Sequence, residues 1–321
     1  MSRVDVAAIG EAMVLLVPDG GRPLEDAHAL RLRMAGAESN VMIGCARLHH
    51  RAAYLSAVGD DPFGRLILRT LQTETVDTSG IVIDPTSRTG VFFKDPTPSG
   101  TRRVYYYRDG SAASRVGPAV LEAIRRLDPR VLVVSGLTLG LGGDTGLSRQ
   151  ARDAMQLCHQ RGTPVVFDAN MRPSLWDGDL ARRHFADLID HVDVILAGRE
   201  ELDALLPDQP VDTAAARLVS DGRRTVILKD GPRGATVIEH DNTTHVPAVD
   251  VDRVVDAVGA GDAFATGIVS GILRGWSFVD GARLGARLAA TVITHTGDWE
   301  ALPTGPDAEQ VLHDCEKEQT P

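Results

Sequence analysis

Short apolar runs alternate with amphipathic segments along most of the chain. The runs have the length and composition of buried strands and lie at residues 4–9, 51–58, 131–134, 164–167, 192–196 and 225–228. The segments between them have helical spacing and lie at residues 40–48, 62–73, 118–127, 148–160, 180–188 and 211–220. This alternation predicts a doubly wound α/β core, in which helices flank both faces of a mostly parallel sheet.

Two stretches break the alternation. Residues 90–94 and 103–108 predict paired strands around the turn-rich segment 96–100, and residues 12–33 are irregular or extended. A small β-sheet inserted into such a core would form a lid over a site at the strand ends. We therefore predict a single domain over residues 1–321, with a core at about 1–11, 34–87 and 112–321 and a lid at about 12–33 and 88–111.

The composition indicates which kinds of binding partner are disfavoured. The 321 residues are 43% hydrophobic and 24% charged, and the formal net charge is -10, which disfavours nonspecific binding to nucleic acid or anionic membranes. Cys45, Cys158 and Cys315 are far apart and form no C-x-x-C motif, as expected for reduced thiols. With no signal-like start and no long apolar run, we expect a cytoplasmic protein.

Two common phosphate-binding motifs are missing. None of Lys94, Lys229 and Lys317 follows a glycine and precedes Ser or Thr, so the chain has no Walker A loop. The dinucleotide fingerprint also fails, because Phe264 stands where a third glycine would be needed. NAD binding and P-loop chemistry are therefore disfavoured.

The strongest local signal is D-A-V-G-A-G-D-A-F at residues 256–264. The N–H groups of Gly259, Ala260 and Gly261, at the start of a helix, would form an anion hole for a transferred phosphoryl group. Asp262 would then accept the proton of an attacking hydroxyl. The alternative is that the glycines only permit packing and that Asp262 caps the helix.

This segment and two others resemble the signatures of the ribokinase-like (PfkB) carbohydrate kinases. The family pattern D-T-x-G-A-G-D-x-F is matched except for Ala257, and A-G-A-E-S-N at 35–40 and G-D-D-P-F-G at 59–64 match further landmarks in the right order. The resemblance implies the α/β core with a β lid, Asp262 as catalytic base, and the amides of residues 259–261 as the anion hole.

The resemblance also implies ATP as phosphoryl donor and Mg²⁺ as cofactor. The residues that fall at its nucleotide-side positions are Asn170, Lys229, Gly231, Gly234 and Gly261. The metal-associated N-x-x-E motif reads G-R-E-E at 198–201, so Glu201 is kept for an indirect role while Gly198 replaces the asparagine. For Lys229 a surface position at a strand end is an equal alternative.

Three segments look most like the 2-keto-3-deoxygluconate kinases of this family: G-A-E-S-N at 36–40, R-V-Y-Y-Y-R-D-G-S-A at 103–112, and D-A-N-M-R at 168–172 with L-W at 175–176. Strand alternation places Tyr106 and Arg108 on one face of the lid. Arg108 and Arg172 together would grip a carboxylate, which a neutral sugar lacks. Alternatively, Arg108 serves the ATP phosphates or a subunit contact.

The predicted substrate is therefore a sugar acid. By resemblance or by strand geometry its contacts are Gly36, Asn40, Phe92, Tyr106, Arg108, Arg172 and Asp298. Phe92 stands where some of these kinases have a tyrosine, which removes one polar contact. The rival functions are a kinase for fructose or another neutral sugar, a nucleoside kinase, and a non-catalytic sugar sensor. An exposed lid edge would also allow pairing with a second copy of the chain.

Overall fold

The computed structural model of the protein describes residues 3–96, 102–141, 146–171 and 178–319. Its strands are β1 (Val6–Ile9), β2 (Met13–Pro18), β3 (Leu30–Ala35), β4 (Ala52–Gly59), β5 (Asp77–Asp84), β6 (Val91–Pro96), β7 (Arg102–Tyr107), β8 (Val131–Ser135), β9 (Val165–Asp168), β10 (Val194–Gly198), β11 (Thr225–Lys229), β12 (Ala235–Ile238) and β13 (Thr243–Val246). Its α-helices are α1 (Ala37–Arg47), α2 (Pro62–Thr73), α3 (Ala119–Leu127), α4 (Gly136–Leu139), α5 (Gly146–Gln160), α6 (Gly178–Leu188), α7 (Arg199–Leu205), α8 (Val211–Val219), α9 (Ala260–Arg274), α10 (Phe278–Ile293) and α11 (Gly305–Glu318).

The larger sheet has nine strands in the described part of the chain, in the order β13-β12-β11-β10-β9-β8-β1-β4-β5. The strands from β11 to β5 pair in parallel, and β12 and β13 add an antiparallel hairpin at one edge. This confirms the mostly parallel sheet predicted from the apolar runs. The chain places β4 and β5 on one side of β1 and β8 to β13 on the other, so the strand order reverses at β1.

Helices cover both faces because alternate strand residues point in opposite directions. On one face, Ala7 and Ile9 of β1 share a core with α3, α5, α6, α7 and α8. On the other face, Val6 and Ala8 share a core with α1, α2, α9, α10 and α11. In the described residues, no helix has both the length and the apolar character that a membrane crossing requires.

The smaller sheet has the strand order β3-β2-β6-β7, and it lies over the carboxyl edge of the larger one. As predicted, β6 and β7 pair in antiparallel register, while β2 and β3 come from the segment expected to be irregular or extended. Its inner face is mainly apolar and includes Met13, Leu15, Ala35 and Phe92. Most of the predicted turn at 96–100 lies outside the described residues.

Helices α9 and α10 pack against each other at glycine residues on both helices. A Cβ atom at Gly267 of α9 would collide with the backbone of Gly285 in α10, and one at Gly271 would lie 2.9 Å from the Cα of Gly281. Backbone therefore meets backbone at this crossing, which draws α9 into the core and sets the position of its first turn.

We expect Gly267→Ala to destabilise the fold by about 1–3 kcal/mol, because the added methyl group has no space and the helices must separate. Gly117→Ala is the control, since nothing lies within 4 Å of a Cβ at that position. Its free energy of unfolding should change by about 0.5 kcal/mol or less. Urea denaturation of both variants measures the difference, and equal stabilities would contradict the close packing.

Candidate active site

A cavity of about 540 Å³ lies between the carboxyl edge of the large sheet, the first turn of α9 and the lid. The core contributes polar residues at strand ends and helix starts, and the lid contributes one aromatic and apolar face. The lining residues named in the sequence analysis are Gly36, Asn40, Phe92, Tyr106, Asn170, Lys229, Gly259, Gly261, Asp262 and Asp298. The structure thus brings together residues that are separated by most of the chain.

The turn before α9 needs glycine for two reasons. Gly259, the N-cap residue, has a φ of 82°, and a Cβ there would collide with the carbonyl group of Asp298. The first N–H groups of a helix have no partner within the helix, and they lie at the positive end of the helix dipole. Gly259, Gly261 and Asp262 line the cavity here, while the N–H of Ala260 donates to the carbonyl oxygen of Ala257 at 3.4 Å. The anion hole predicted for Gly259, Ala260 and Gly261 stays a prediction.

Asp262 stands in the first turn of α9 and is joined to α1. Asn40 donates a hydrogen bond from Nδ2 to Asp262 Oδ2 at 2.7 Å. The N–H of Asn40 in turn donates to the carbonyl oxygen of Gly36 at 2.8 Å, at the tight bend where β3 passes into α1. A Cβ at Gly36 would lie 2.7 Å from the carbonyl oxygen of Glu11, so this bend also has no space for a side chain.

The pKa of Asp262 is raised from its ordinary value to about 7, chiefly by burial. The negative charges of Asp168 and Asp298 raise it further, while the hydrogen bond from Asn40 and the charge of Lys229 act in the opposite direction. A carboxylate with a pKa near neutrality is a stronger base than an exposed one and is still about half ionised at pH 7. This is the property that a general base requires.

Glu38 holds the first turn of α1 in place through buried hydrogen bonds. Its buried carboxylate accepts hydrogen bonds from Ser135 at 2.5 Å and from Thr138 at 2.6 Å, which ties α1 to the end of β8. Burial raises the pKa of Glu38, and the two hydroxyl donors oppose that shift. The position of Asn40, two residues further along α1, therefore rests on a buried polar network.

Lys229 and Asp168 form a buried pair at the ends of β11 and β9. The ammonium group of Lys229 lies 2.7 Å from Asp168 Oδ1 and 3.7 Å from the position of a Cβ at Gly261. Burial alone would lower the pKa of Lys229, but the negative charges of Asp168 and Glu201 outweigh it, so the pKa is raised and the group stays charged. The lysine faces the predicted anion hole. Asn170, with a φ of 34°, follows in the same cavity wall.

Gly231 and Gly234 lie outside the set of residues that line the cavity. They flank the short 3₁₀ turn Gly231–Arg233 directly after Lys229. Gly234 has a φ of 92°, and a Cβ there would collide with the carbonyl oxygen of Val246. The close approach of the β12–β13 hairpin therefore explains why residue 234 is glycine. A Cβ at Gly231, by contrast, would meet no atom within 4 Å. Their predicted contact with a nucleotide stays a prediction.

Glu201 has both carboxylate oxygens engaged by backbone N–H groups. Gly198 donates at 2.6 Å and Met171 at 2.8 Å, so this side chain closes the first turn of α7 and holds the loop after β9. Within the described residues, no group of three or more His, Cys, Asp and Glu side chains is arranged to hold a metal ion. An indirect role for Glu201, through the position of Asp168 and Asn170, is the one that this geometry allows.

The predicted arginine pair needs correction in one member. Arg108 does not line the cavity; its guanidinium lies 2.5 Å from Glu11 Oε2 and packs behind the ring of Tyr106, with 5.8 Å from Cζ to the ring centroid. Strand β7 ends at Tyr107, so strand alternation does not govern the direction of Arg108, and buried Glu11 requires a positive partner. Arg172 lies outside the described residues, as do residues 175–176.

The tyrosines of β7 alternate between the two faces of the lid, as predicted. Tyr106 lines the cavity and stacks on Phe92 with ring centroids 5.6 Å apart, while Tyr105 and Tyr107 are exposed on the outer face. Lys94 is not among the predicted site residues, yet it shares the inner face with Phe92 and forms an ion pair with Asp298 at 2.8 Å. Its position two residues after Phe92 in a strand was the signal that could have identified it.

Comparisons with known proteins agree with this architecture. The family model described as pfkB family carbohydrate kinase matches residues 4–305. The 2-dehydro-3-deoxygluconokinase of Bacillus subtilis (strain 168) is 32% identical over 304 residues, covering 94% of this chain and 93% of the relative. The 2-dehydro-3-deoxygluconokinase of Thermoproteus tenax is 32% identical over 314 residues, covering 96% and 94%.

A solved structure extends the agreement to three dimensions. The crystal structure of a PfkB protein from Polaromonas sp. JS666 is 35% identical, has a TM-score of 0.83, and covers 96% of this chain and 99% of that one. The family match spans most of the sequence, and the relatives cover nearly their full lengths. The chain therefore belongs to the PfkB family of carbohydrate kinases and is a phosphotransferase that acts on a sugar hydroxyl.

Proposed function

We propose that this kinase transfers the γ-phosphoryl group of ATP to the terminal hydroxyl of 2-keto-3-deoxygluconate. The observation that carries the proposal is the half-buried Asp262, held by Asn40 at 2.7 Å beside the glycine turn of α9. The choice of sugar is supported by the two relatives above, which are both named 2-dehydro-3-deoxygluconokinase after a synonym of this sugar acid. It is also supported by a lid that offers both a phenol and a positive charge to the cavity.

In the proposed reaction the sugar hydroxyl oxygen attacks the γ-phosphorus while Asp262 accepts the hydroxyl proton. The bond between the γ-phosphorus and its bridging oxygen breaks, and ADP leaves with that oxygen. The N–H groups at the start of α9 donate hydrogen bonds to the transferring group, and Lys229 adds a positive charge on the same side. Phe92 and Tyr106 on the lid exclude water from the reacting groups.

Magnesium fits this site only as a companion of the nucleotide. Glu201 is engaged by backbone N–H groups and Asp168 by Lys229, so the described residues present no set of free ligands for a resident ion. Mg²⁺ prefers phosphate oxygens and water and needs few protein ligands. When bound with ATP, the ion would neutralise negative charge on the phosphates. Asp168, which accepts a hydrogen bond from Lys229, is the carboxylate on the phosphate side of the cavity.

A kinase for fructose or another neutral sugar shares every catalytic feature named above. It differs only in lacking a need for a positive group near the sugar. A nucleoside kinase would use the stacked Phe92 and Tyr106 as a base-binding surface. These alternatives concern the acceptor and leave the role of Asp262 unchanged.

Asp262→Asn should lower kcat by about 10²–10⁴-fold, because the amide cannot accept the proton of the attacking hydroxyl. Sugar binding should be largely retained, since the asparagine occupies nearly the same volume. Steady-state assays of ADP release give kcat, and calorimetric titration with the sugar gives the affinity. Near wild-type turnover in a folded Asp262→Asn protein would remove Asp262 from the role of base.

The pH dependence of kcat/KM should report the pKa of Asp262. Because the ionised carboxylate is the active form, activity should rise with pH through a midpoint near the pKa of about 7 and level off above about pH 8. Asn40→Ala removes a hydrogen bond that lowers this pKa, so the midpoint should move to higher pH. Profiles between about pH 5 and about pH 9 measure the shift. The Asp262→Asn protein is the control, because its residual activity should lack this rise.

A substrate panel separates the proposed acceptor from its rivals. We expect 2-keto-3-deoxygluconate to exceed fructose, ribose and adenosine, which lack a carboxylate, in kcat/KM by about 10-fold or more, because a hydrogen bond to a charged group is worth about 1.5–3 kcal/mol. ADP release with each compound is the measurement. If a neutral sugar is the best substrate, the protein is still a kinase but the proposed acceptor is wrong. If adenosine is the best substrate, the aromatic residues of the lid bind its base.

A further inference from the structure

Lys94 is a buried lysine on a face of the lid that is otherwise apolar or aromatic. Its register partner is Val104, and its neighbours on the inner face are Phe92 and Tyr106. Only 8% of its side chain is exposed, and its ammonium group lies 2.8 Å from Asp298 Oδ1. Burying a charge among apolar groups costs free energy that packing does not return. The position therefore calls for an explanation beyond lid stability.

Attachment of the lid does not supply that explanation. Strand β3 is already joined to the loop before α11 by three hydrogen bonds: Arg33 donates to Thr296 at 3.1 Å and to Glu300 at 3.2 Å, and Trp299 donates to the Met34 carbonyl at 3.1 Å. These contacts connect the same two parts of the molecule that Lys94 and Asp298 connect. They lie away from the residues that line the cavity.

The charges of the cavity point to a ligand for Lys94. Among the described lining residues, the positive charges are those of Lys94 and Lys229, and the negative charges are those of Asp168, Asp256, Asp262 and Asp298. Lys229 faces the anion hole and pairs with Asp168, so it belongs to the phosphate side. Lys94 comes from the lid and lines the same cavity. Among the described lining residues it is the remaining cation that an acceptor molecule could meet.

The Lys94–Asp298 pair is chemically suited to binding an anionic group. A lysine ammonium has three N–H donors, and Asp298 accepts one of them, which orients the others. Of the two arginines predicted from sequence for this role, Arg108 is engaged by Glu11 and does not line the cavity, and Arg172 lies outside the described residues. A carboxylate on the acceptor would enter a site that has several acidic groups and needs a positive one.

We propose that Lys94 binds the carboxylate of the acceptor and makes the enzyme selective for sugar acids, with Asp298 orienting its ammonium group. This inference rests on the proposed function, since it assigns the carboxylate of that substrate to one side chain. Lys94 acts on specificity and takes no part in proton transfer, which stays with Asp262.

The test compares an acid with its matched neutral sugar. In 3-deoxyfructose a hydroxymethyl group replaces the carboxylate of 2-keto-3-deoxygluconate and the terminal hydroxyl is kept. Lys94→Gln should lower kcat/KM for the acid by about 10–100-fold, as expected for a lost charged hydrogen bond. The same variant should change kcat/KM for 3-deoxyfructose by about threefold or less. The effect on the acid should appear mainly in KM.

Two control variants isolate the role of Lys94. Arg33→Gln weakens the other lid attachment and should affect both sugars equally. Arg108→Lys keeps the charge opposite Glu11 but changes its geometry, and it should leave the preference for the acid in place. Equal losses for acid and neutral sugar in Lys94→Gln would make Lys94 a lid attachment and overturn the proposal. Loss of acid preference in Arg108→Lys, with Lys94→Gln unaffected, would also overturn it.

Two further outcomes are distinguishable. If Lys94→Gln does not fold, the double variant Lys94→Met with Asp298→Asn leaves no unpaired buried charge, and a retained preference for the acid in that protein would overturn the proposal. If the wild-type enzyme does not prefer the acid over 3-deoxyfructose, the proposed substrate itself is wrong. That result is read from the wild type alone, so the failure of the proposed function is separate from the failure of the role of Lys94.

Discussion

The hydrogen bond between Asn40 and Asp262 is the contact on which the site depends. It joins the first turns of α1 and α9, two helices that come from distant parts of the chain and pack on the same face of the sheet. It also opposes the desolvation that raises the pKa of Asp262 to about 7, so the carboxylate is both basic and ionisable near neutral pH. Without it, burial alone would favour the protonated, inactive acid.

Charge balance is the second constraint. The cavity gathers several carboxylates near Asp262, and two of them form ion pairs with lysines: Asp168 with Lys229 and Asp298 with Lys94. Lys229 lies beside Gly261, and Lys94 belongs to the lid. The proposals above accordingly assign Lys229 to the phosphates and Lys94 to the acceptor.

Much of the fold could be predicted from periodicity. Six apolar runs correspond to strands of the parallel sheet, and the paired lid strands β6 and β7 were expected from their turn. Strand β5 and the β12–β13 hairpin were not predicted. In β5 the burial pattern is mixed because this strand lies at the sheet edge, and β13 is short and half-exposed, so neither has the uniform apolar run of a central strand.

The sequence by itself determined the family, the glycine turn before α9 and the identity of Asp262 as the base candidate, because these depend on local backbone geometry and contiguous motifs. The tertiary structure decided which charges face the cavity. Arg108 was expected there but is engaged by Glu11, and Lys94 was assigned no role but lines the acceptor side. Ion pairing between residues far apart in sequence depends on which groups are buried together, and no local pattern records that.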